Sequence, residues 1–142
     1  MNPVIEKVRK DLRRNANESV RQSRHRFFKE TVHIHGLQVQ RVTALAKEHF
    51  KDISHLPKEG VFELCEELWQ SGYLEESFVA CNWSYTVRTR YTSDDINVFE
   101  RWGDRYVTNW ASCDTFCNHS VGTLIDMYPD LVQVLKRWAL SP

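Results

Sequence analysis

Apolar residues recur every three to four positions along almost the whole chain, which is the period of helices that bury one face. Asn2 followed by Pro3 reads as an N-cap with Pro at the first helical position, opening an amphipathic helix through Val4, Ile5, Val8 and Leu12. A second helix is predicted from Glu18 to His33. Its apolar positions are Val20, Phe27, Phe28, Val32 and Ile34, its polar side carries Arg21, Arg24, Arg26 and Lys29, and Gly36 ends it. A third, Val39 to Phe50, buries Val42, Leu45, Ala46 and Phe50 and exposes Gln40, Arg41 and Lys47. After a loop, Phe62, Leu64, Cys65, Leu68 and Trp69 fall in helical register and stop at Ser71-Gly72. The stretch from Glu75 to Tyr91 is apolar almost all round, which marks it as central. Ser93 with Asp94 and Asp95 predicts an N-cap and acidic first turn for a helix running to Val107. A shorter helix covers Ala111 to Met127, and Pro129 opens a last one through Val134, Leu135, Trp138 and Leu140.

Seven to eight short helices joined in consecutive antiparallel pairs fit an all-α, HEAT-like α-solenoid better than a four-helix bundle. At 142 residues the chain has the length of one domain, and residues 1–142 are read as a single helical-repeat domain. Five Gly and four Pro leave too little turn material for a β-sandwich. No apolar run reaches membrane-spanning length and the N-terminus is charged, so neither a membrane span nor export is expected and the expected location is cytoplasmic. Cys65, Cys81, Cys113 and Cys117 are then expected as reduced thiols. Cys113 and Cys117 are four apart with His119 nearby, but Cys-x-x-Cys spacing is missing and no metal is expected. His33 and His35, two apart, point in different directions on a helix and make a poor metal pair.

Charge adds a direction. The net charge is zero, yet residues 1–50 hold eleven Lys/Arg against five Asp/Glu, whereas residues 51–142 hold eight against fourteen. A basic half attracts a polyanion, since each cation near a phosphate releases condensed counterions. Solvated helix faces of differing sign explain the same counts. The acidic stretch from Glu59 to Glu76 is equally compatible with a scaffold that binds proteins.

No glycine-rich phosphate loop, nucleophile elbow or His-Glu-x-x-His occurs. The segment from Tyr106 to Cys117 is the richest in chemistry. Trp110 and Asp114 are four apart, so on a helix an indole and a carboxylate share one face. A carboxylate beside an apolar wall can stabilise a developing cation or orient an attacking water, as at the oxocarbenium-like stage of glycosidic cleavage. A core Trp with a nearby capping Asp would give the same spacing.

From about residue 20 onward the chain resembles the AlkD-like DNA alkylation repair family, alkylpurine DNA glycosylases built from HEAT-like repeats. The resemblance rests on ordered pieces: Arg26-Phe27-Phe28-Lys29; His35-Gly36-Leu37-Gln38-Val39-Gln40-Arg41; Glu67-Leu68-Trp69; and Trp110-x-x-x-Asp114 followed by Val121-Gly122 and Tyr128-Pro129. It implies an all-α fold, Asp114 as the catalytic carboxylate and Trp110 as an aromatic wall beside the damaged nucleotide. It further implies hydrolysis of the N-glycosidic bond of cationic 3- or 7-alkylated purines in double-stranded DNA, without a cofactor or metal, by a monomer associated with the nucleoid. Arg26, Phe27, Lys29, Gln38, Gln40 and Arg41 are the expected DNA contacts, several of them around a helix N-terminus that offers free N–H groups to a phosphate. This chain departs from the family pattern in Phe27, where relatives usually have Tyr, and in Ala111, where they usually have Asp. Relatives continue through further repeats that bring an Arg and a second Trp to the cleft, so the chain is expected to be the N-terminal portion of a longer glycosylase fold. The alternative is a non-catalytic helical-repeat module binding DNA or a protein partner.

Overall fold

The computed structural model describes residues 2–27, 33–107 and 110–140, the side chains at 24–27, 110, 135 and 138–140 excepted. The architecture is all-α, with no strand among the described residues. Its helices are α1 (Pro3–Arg14), α2 (Glu18–Phe27), α3 (Val39–Phe50), α4 (Lys58–Gln70), α5 (Leu74–Thr86), α6 (Asp95–Arg105), α7 (Trp110–Phe116), α8 (Gly122–Met127) and α9 (Val132–Leu140). A π turn, Cys117–Val121, joins α7 to α8 without a break, so these two form one rod carrying a single insertion.

Local chemistry explains the ends. Asn2 caps α1 as predicted, its side chain accepting from the Val4 N–H at 2.9 Å, with Pro3 in the first turn. Ile5, Val8 and Leu12 of α1 are fully buried and form the expected stripe. Ser93 does not cap α6. Asp95 turns back instead, its carboxylate accepting from the Thr92 N–H at 2.8 Å and pairing with the buried Lys58 at 3.0 Å. The helix predicted from Glu75 to Tyr91 ends at Thr86, followed by a 3-10 turn at Arg88–Arg90. Tyr91 is extended, and its hydroxyl donates to the Ser84 carbonyl at 2.6 Å.

The second helix does not reach His33. α2 is described to Phe27, whereas His33 already makes a parallel bridge to Tyr73, its carbonyl accepting from the Leu74 N–H at 2.9 Å. Phe28, Lys29 and Val32 of the predicted helix lie outside the described residues. Gly36 therefore turns a loop rather than a helix end. Its φ is +100°, and a Cβ there would come within 2.5 Å of the Asn17 carbonyl oxygen and 2.8 Å of the Arg21 side chain.

α5 is central, as its apolar surround predicted: α3, α4 and α7 all pack on it. Trp83 donates from Nε1 to the Ala46 carbonyl at 2.8 Å, tying α5 to α3. α4 and α6 close the core from behind with Phe62, Trp69, Phe99 and Trp102, onto which Phe116 of α7 packs edge-on at 5.4 Å from Phe99 and 5.7 Å from Trp69. The two layers fix where α3 and α7 present their outer faces.

Candidate functional site

Two predicted groups of residues emerge on either side of α5. One is the start of α3, where Gln38, Gln40 and Arg41 are exposed. Gln38 is the N-cap but makes no side-chain capping bond. The Arg41 guanidinium holds Asn15 Oδ1 from Nε at 3.2 Å and Nη2 at 2.8 Å, so its fork is braced against the end of α1. The other group is α7. Trp110 opens that helix, and its side chain lies outside the described residues. Asp114 is exposed one turn later, and Asn118 donates to its Oδ1 at 3.0 Å. That bond fixes one carboxylate oxygen and leaves the group facing solvent. Arg26 and Phe27 belong to α2 but their side chains, like all of Lys29, are outside the described residues.

The two groups are keyed to the first half of α5. Glu75 is almost fully buried and accepts three backbone bonds from the loop leading into α3: His35 N–H to Oε1 at 2.9 Å, and Gly36 and Leu37 N–H to Oε2 at 2.9 and 3.2 Å. Glu76 beside it pairs with Arg9 at 2.8 Å and lies 3.4 Å from His35 Nε2, while the His35 ring stacks on Tyr73 at 4.1 Å. Burial alone would raise the Glu76 pKa, but the His35 and Arg9 hydrogen bonds and the Arg9 charge outweigh it and hold the carboxyl below its ordinary value. On the other flank, Ile34, Leu74, Phe78 and Ala111 form a small apolar cluster, and the hydroxyls of Ser77 and Ser112 meet at 2.7 Å. Thus one turn of α5 positions both the loop before α3 and the start of α7.

The acidic stretch is exposed only in part, at Glu59 and Glu63. Glu75 and Glu76 are buried, and Glu66 is occupied by Arg101, Trp102 and Tyr106 of α6 and the residue after it. Burial raises the Glu66 pKa, yet the three hydrogen bonds and the Arg101 charge together lower it below its ordinary value. Sequence reasoning missed these roles because each partner lies 30 or more residues away. Asn118 was detectable in principle, since it stands four residues after Asp114 on the same face.

Cys113 and Cys117 occupy a different flank of the rod. With Phe116 they line a solvent-open groove of about 630 Å³ against Glu100, Arg101 and Asp104 of α6. His119 is not aimed at them: its Nδ1 is 2.8 Å from the Thr115 carbonyl and its ring meets Tyr85 edge-on. Among the described residues no three His, Cys, Asp or Glu side chains gather in a metal-holding group.

The model of a family described as DNA alkylation repair enzyme matches residues 8–142. The chain belongs to this family. No curated protein and no solved structure matches it. Membership in the DNA alkylation repair family points to a role in DNA repair, with DNA as the substrate. The match covers both the α3 start and the Trp110–Asp114 turn. No described helix is long and apolar enough to cross a membrane.

Proposed function

We propose that this member of the DNA alkylation repair family is a glycosylase that hydrolyses the N-glycosidic bond of cationic 3- or 7-alkylated purines in duplex DNA. The observation that carries the reading is the Asp114 carboxylate. It is solvent-facing, held at one oxygen by Asn118, and four residues from Trp110 on the same helix. Alkylation at N3 or N7 gives the purine a positive charge and makes it a good leaving group. When the bond to C1′ breaks, both electrons stay with the purine, which departs neutral, and positive charge develops on the deoxyribose. A fixed anion beside that sugar stabilises the transition state more than the ground state. Asp114 supplies this anion and orients the water that attacks C1′, while Trp110 walls the sugar with its electron-rich face.

Gln38, Gln40 and Arg41, with Arg26, Phe27 and Lys29 from the preceding segment, grip the phosphate backbone. The braced guanidinium of Arg41 supports that role, because a fork already oriented loses less freedom on meeting a phosphate. In this reading the protein works as a monomer, without cofactor or metal, wherever it meets the nucleoid. The test is incubation with methylated duplex DNA followed by chromatography of the soluble fraction. Free 3- or 7-methylpurine is expected. Intact DNA together with retained, salt-sensitive binding would replace the enzyme by a non-catalytic DNA-binding module.

A further inference from the structure

Cys113 and Cys117 stand one turn apart on the α7–α8 rod with their sulfurs 4.0 Å apart. Cys113 is exposed and Cys117 half-buried, and both open onto the groove beside α6. Cys65 and Cys81 are sealed in the core. Helix geometry places Cα atoms four residues apart at about 6 Å, within the span a disulfide tolerates, so the sulfurs need to close by about 2 Å.

The backbone around the pair is prepared for a local shift. Two hydroxyl pairs pin the rod to α5: Ser112 to Ser77 at 2.7 Å and Ser120 to Ser84 at 3.0 Å. Between these pins α5 advances seven residues and the rod advances eight. The π turn that begins at Cys117 takes up the extra residue and keeps both pairs in register. A change between the pins must be absorbed by residues 113–119, which include Asp114 and its partner Asn118.

We propose that Cys113 and Cys117 are a modification site, an oxidisable dithiol that a hydroperoxide converts into an intrahelical disulfide, and that the bridge displaces Asp114. The second half of this statement rests on the glycosylase reading; the first does not. The Cys113 thiolate attacks one peroxide oxygen, the O–O bond breaks, and water or an alcohol leaves, giving a sulfenic acid. The Cys117 thiolate attacks that sulfur and the hydroxyl departs as water, so the pair loses two hydrogens and the peroxide is reduced. Burial, then the charges of Cys113 and Asp114, push the Cys117 thiol up to about 11. From α5 the thiol of Cys81 also faces it, and from α6 Glu100, Arg101, Asp104 and Arg105 line the same groove. The exposed Cys113 is therefore the sulfur that meets the oxidant and Cys117 the one that resolves it. Because closure needs the Cys117 thiolate, its rate rises with pH.

The experiment treats the intact chain with dilute hydrogen peroxide, blocks free thiols, and maps the peptides by mass spectrometry. A linked Cys113–Cys117 peptide two hydrogens lighter is expected, reversed by dithiothreitol and absent from Cys113→Ser and Cys117→Ser, with Cys65 and Cys81 unmodified until the protein is unfolded. Amide exchange across residues 110–121 should change on bridging, and base release should fall at least about tenfold and recover on reduction. The Cys113→Ser/Cys117→Ser protein should keep its base release under peroxide. Sulfinic acid at Cys113 without a bridge, a link to Cys81, or a link between chains would overturn the dithiol. A mapped bridge with unchanged exchange and unchanged release would overturn the effect on Asp114. If the reduced protein releases no base at all, the glycosylase reading fails by itself, and the peptide map and exchange still decide this one.

Discussion

At the scale of single residues, Glu75 shows how a buried charge is made tolerable. A carboxylate removed from water is costly unless donors replace its hydration. Glu75 receives three backbone N–H groups, and it sits in the first turn of α5, where the helix dipole favours an anion. Replacing it with Ala strands those donors, and urea unfolding should show a loss of about 3–5 kcal/mol. Gln, which keeps one acceptor oxygen, should cost clearly less. Equal, small losses for both variants would mean that the loop into α3 is not held by this carboxylate. None of this was legible in the sequence, where Glu75 reads as an ordinary acid at a helix start. Its partners are 38 to 40 residues earlier, and no local pattern reports them.

At the scale of elements, periodicity served well where burial is one-sided or complete. The stripe of Ile5, Val8 and Leu12 and the all-round burial of α5 follow directly from their spacing. It failed where tertiary hydrogen bonds compete with the helix. The helix expected to reach His33, with Ile34 on its apolar side, gives way to a loop, because the His33 carbonyl is taken by the Leu74 N–H and the N–H groups of residues 35–37 by Glu75. Ser93 has the composition of an N-cap, yet no side chain caps the start of α6, and Asp95 instead reaches back to the Thr92 N–H ahead of the helix. The π turn was invisible for a different reason. It accompanies the mismatch between the Ser77–Ser84 and Ser112–Ser120 spacings, which has meaning only once the two helices are known to be neighbours. The Trp110–Asp114 spacing was legible, but not the Asn118 bond that gives the carboxylate its orientation.

At the scale of the whole molecule, pairing softens the charge asymmetry of the sequence. Glu76 pairs with Arg9 from the basic half, whereas the Asp95–Lys58 and Glu66–Arg101 pairs lie within the acidic half and leave its excess unchanged. These links tie α1 to α5 and α4 to α6. The folded pKa values of Glu66 and Glu76 lie below their ordinary values, so their contribution is complete above about pH 5 and is lost as pH falls through the folded values. Melting temperature should therefore drop between about pH 5 and pH 3, and Glu66→Gln should flatten that slope. An unchanged slope would show that the α4–α6 contact does not depend on the ionised acid. The central claim concerns what the assembled molecule does to DNA, and it turns on one carboxylate. Single-turnover release of alkylpurine from methylated duplex DNA, compared between this protein and Asp114→Asn, tests it most directly. The amide keeps the size and the Asn118 contact while removing the charge. Release should fall at least about 100-fold with DNA affinity unchanged. Equal release by the two proteins would contradict the assignment of Asp114 as the group that stabilises the departing sugar.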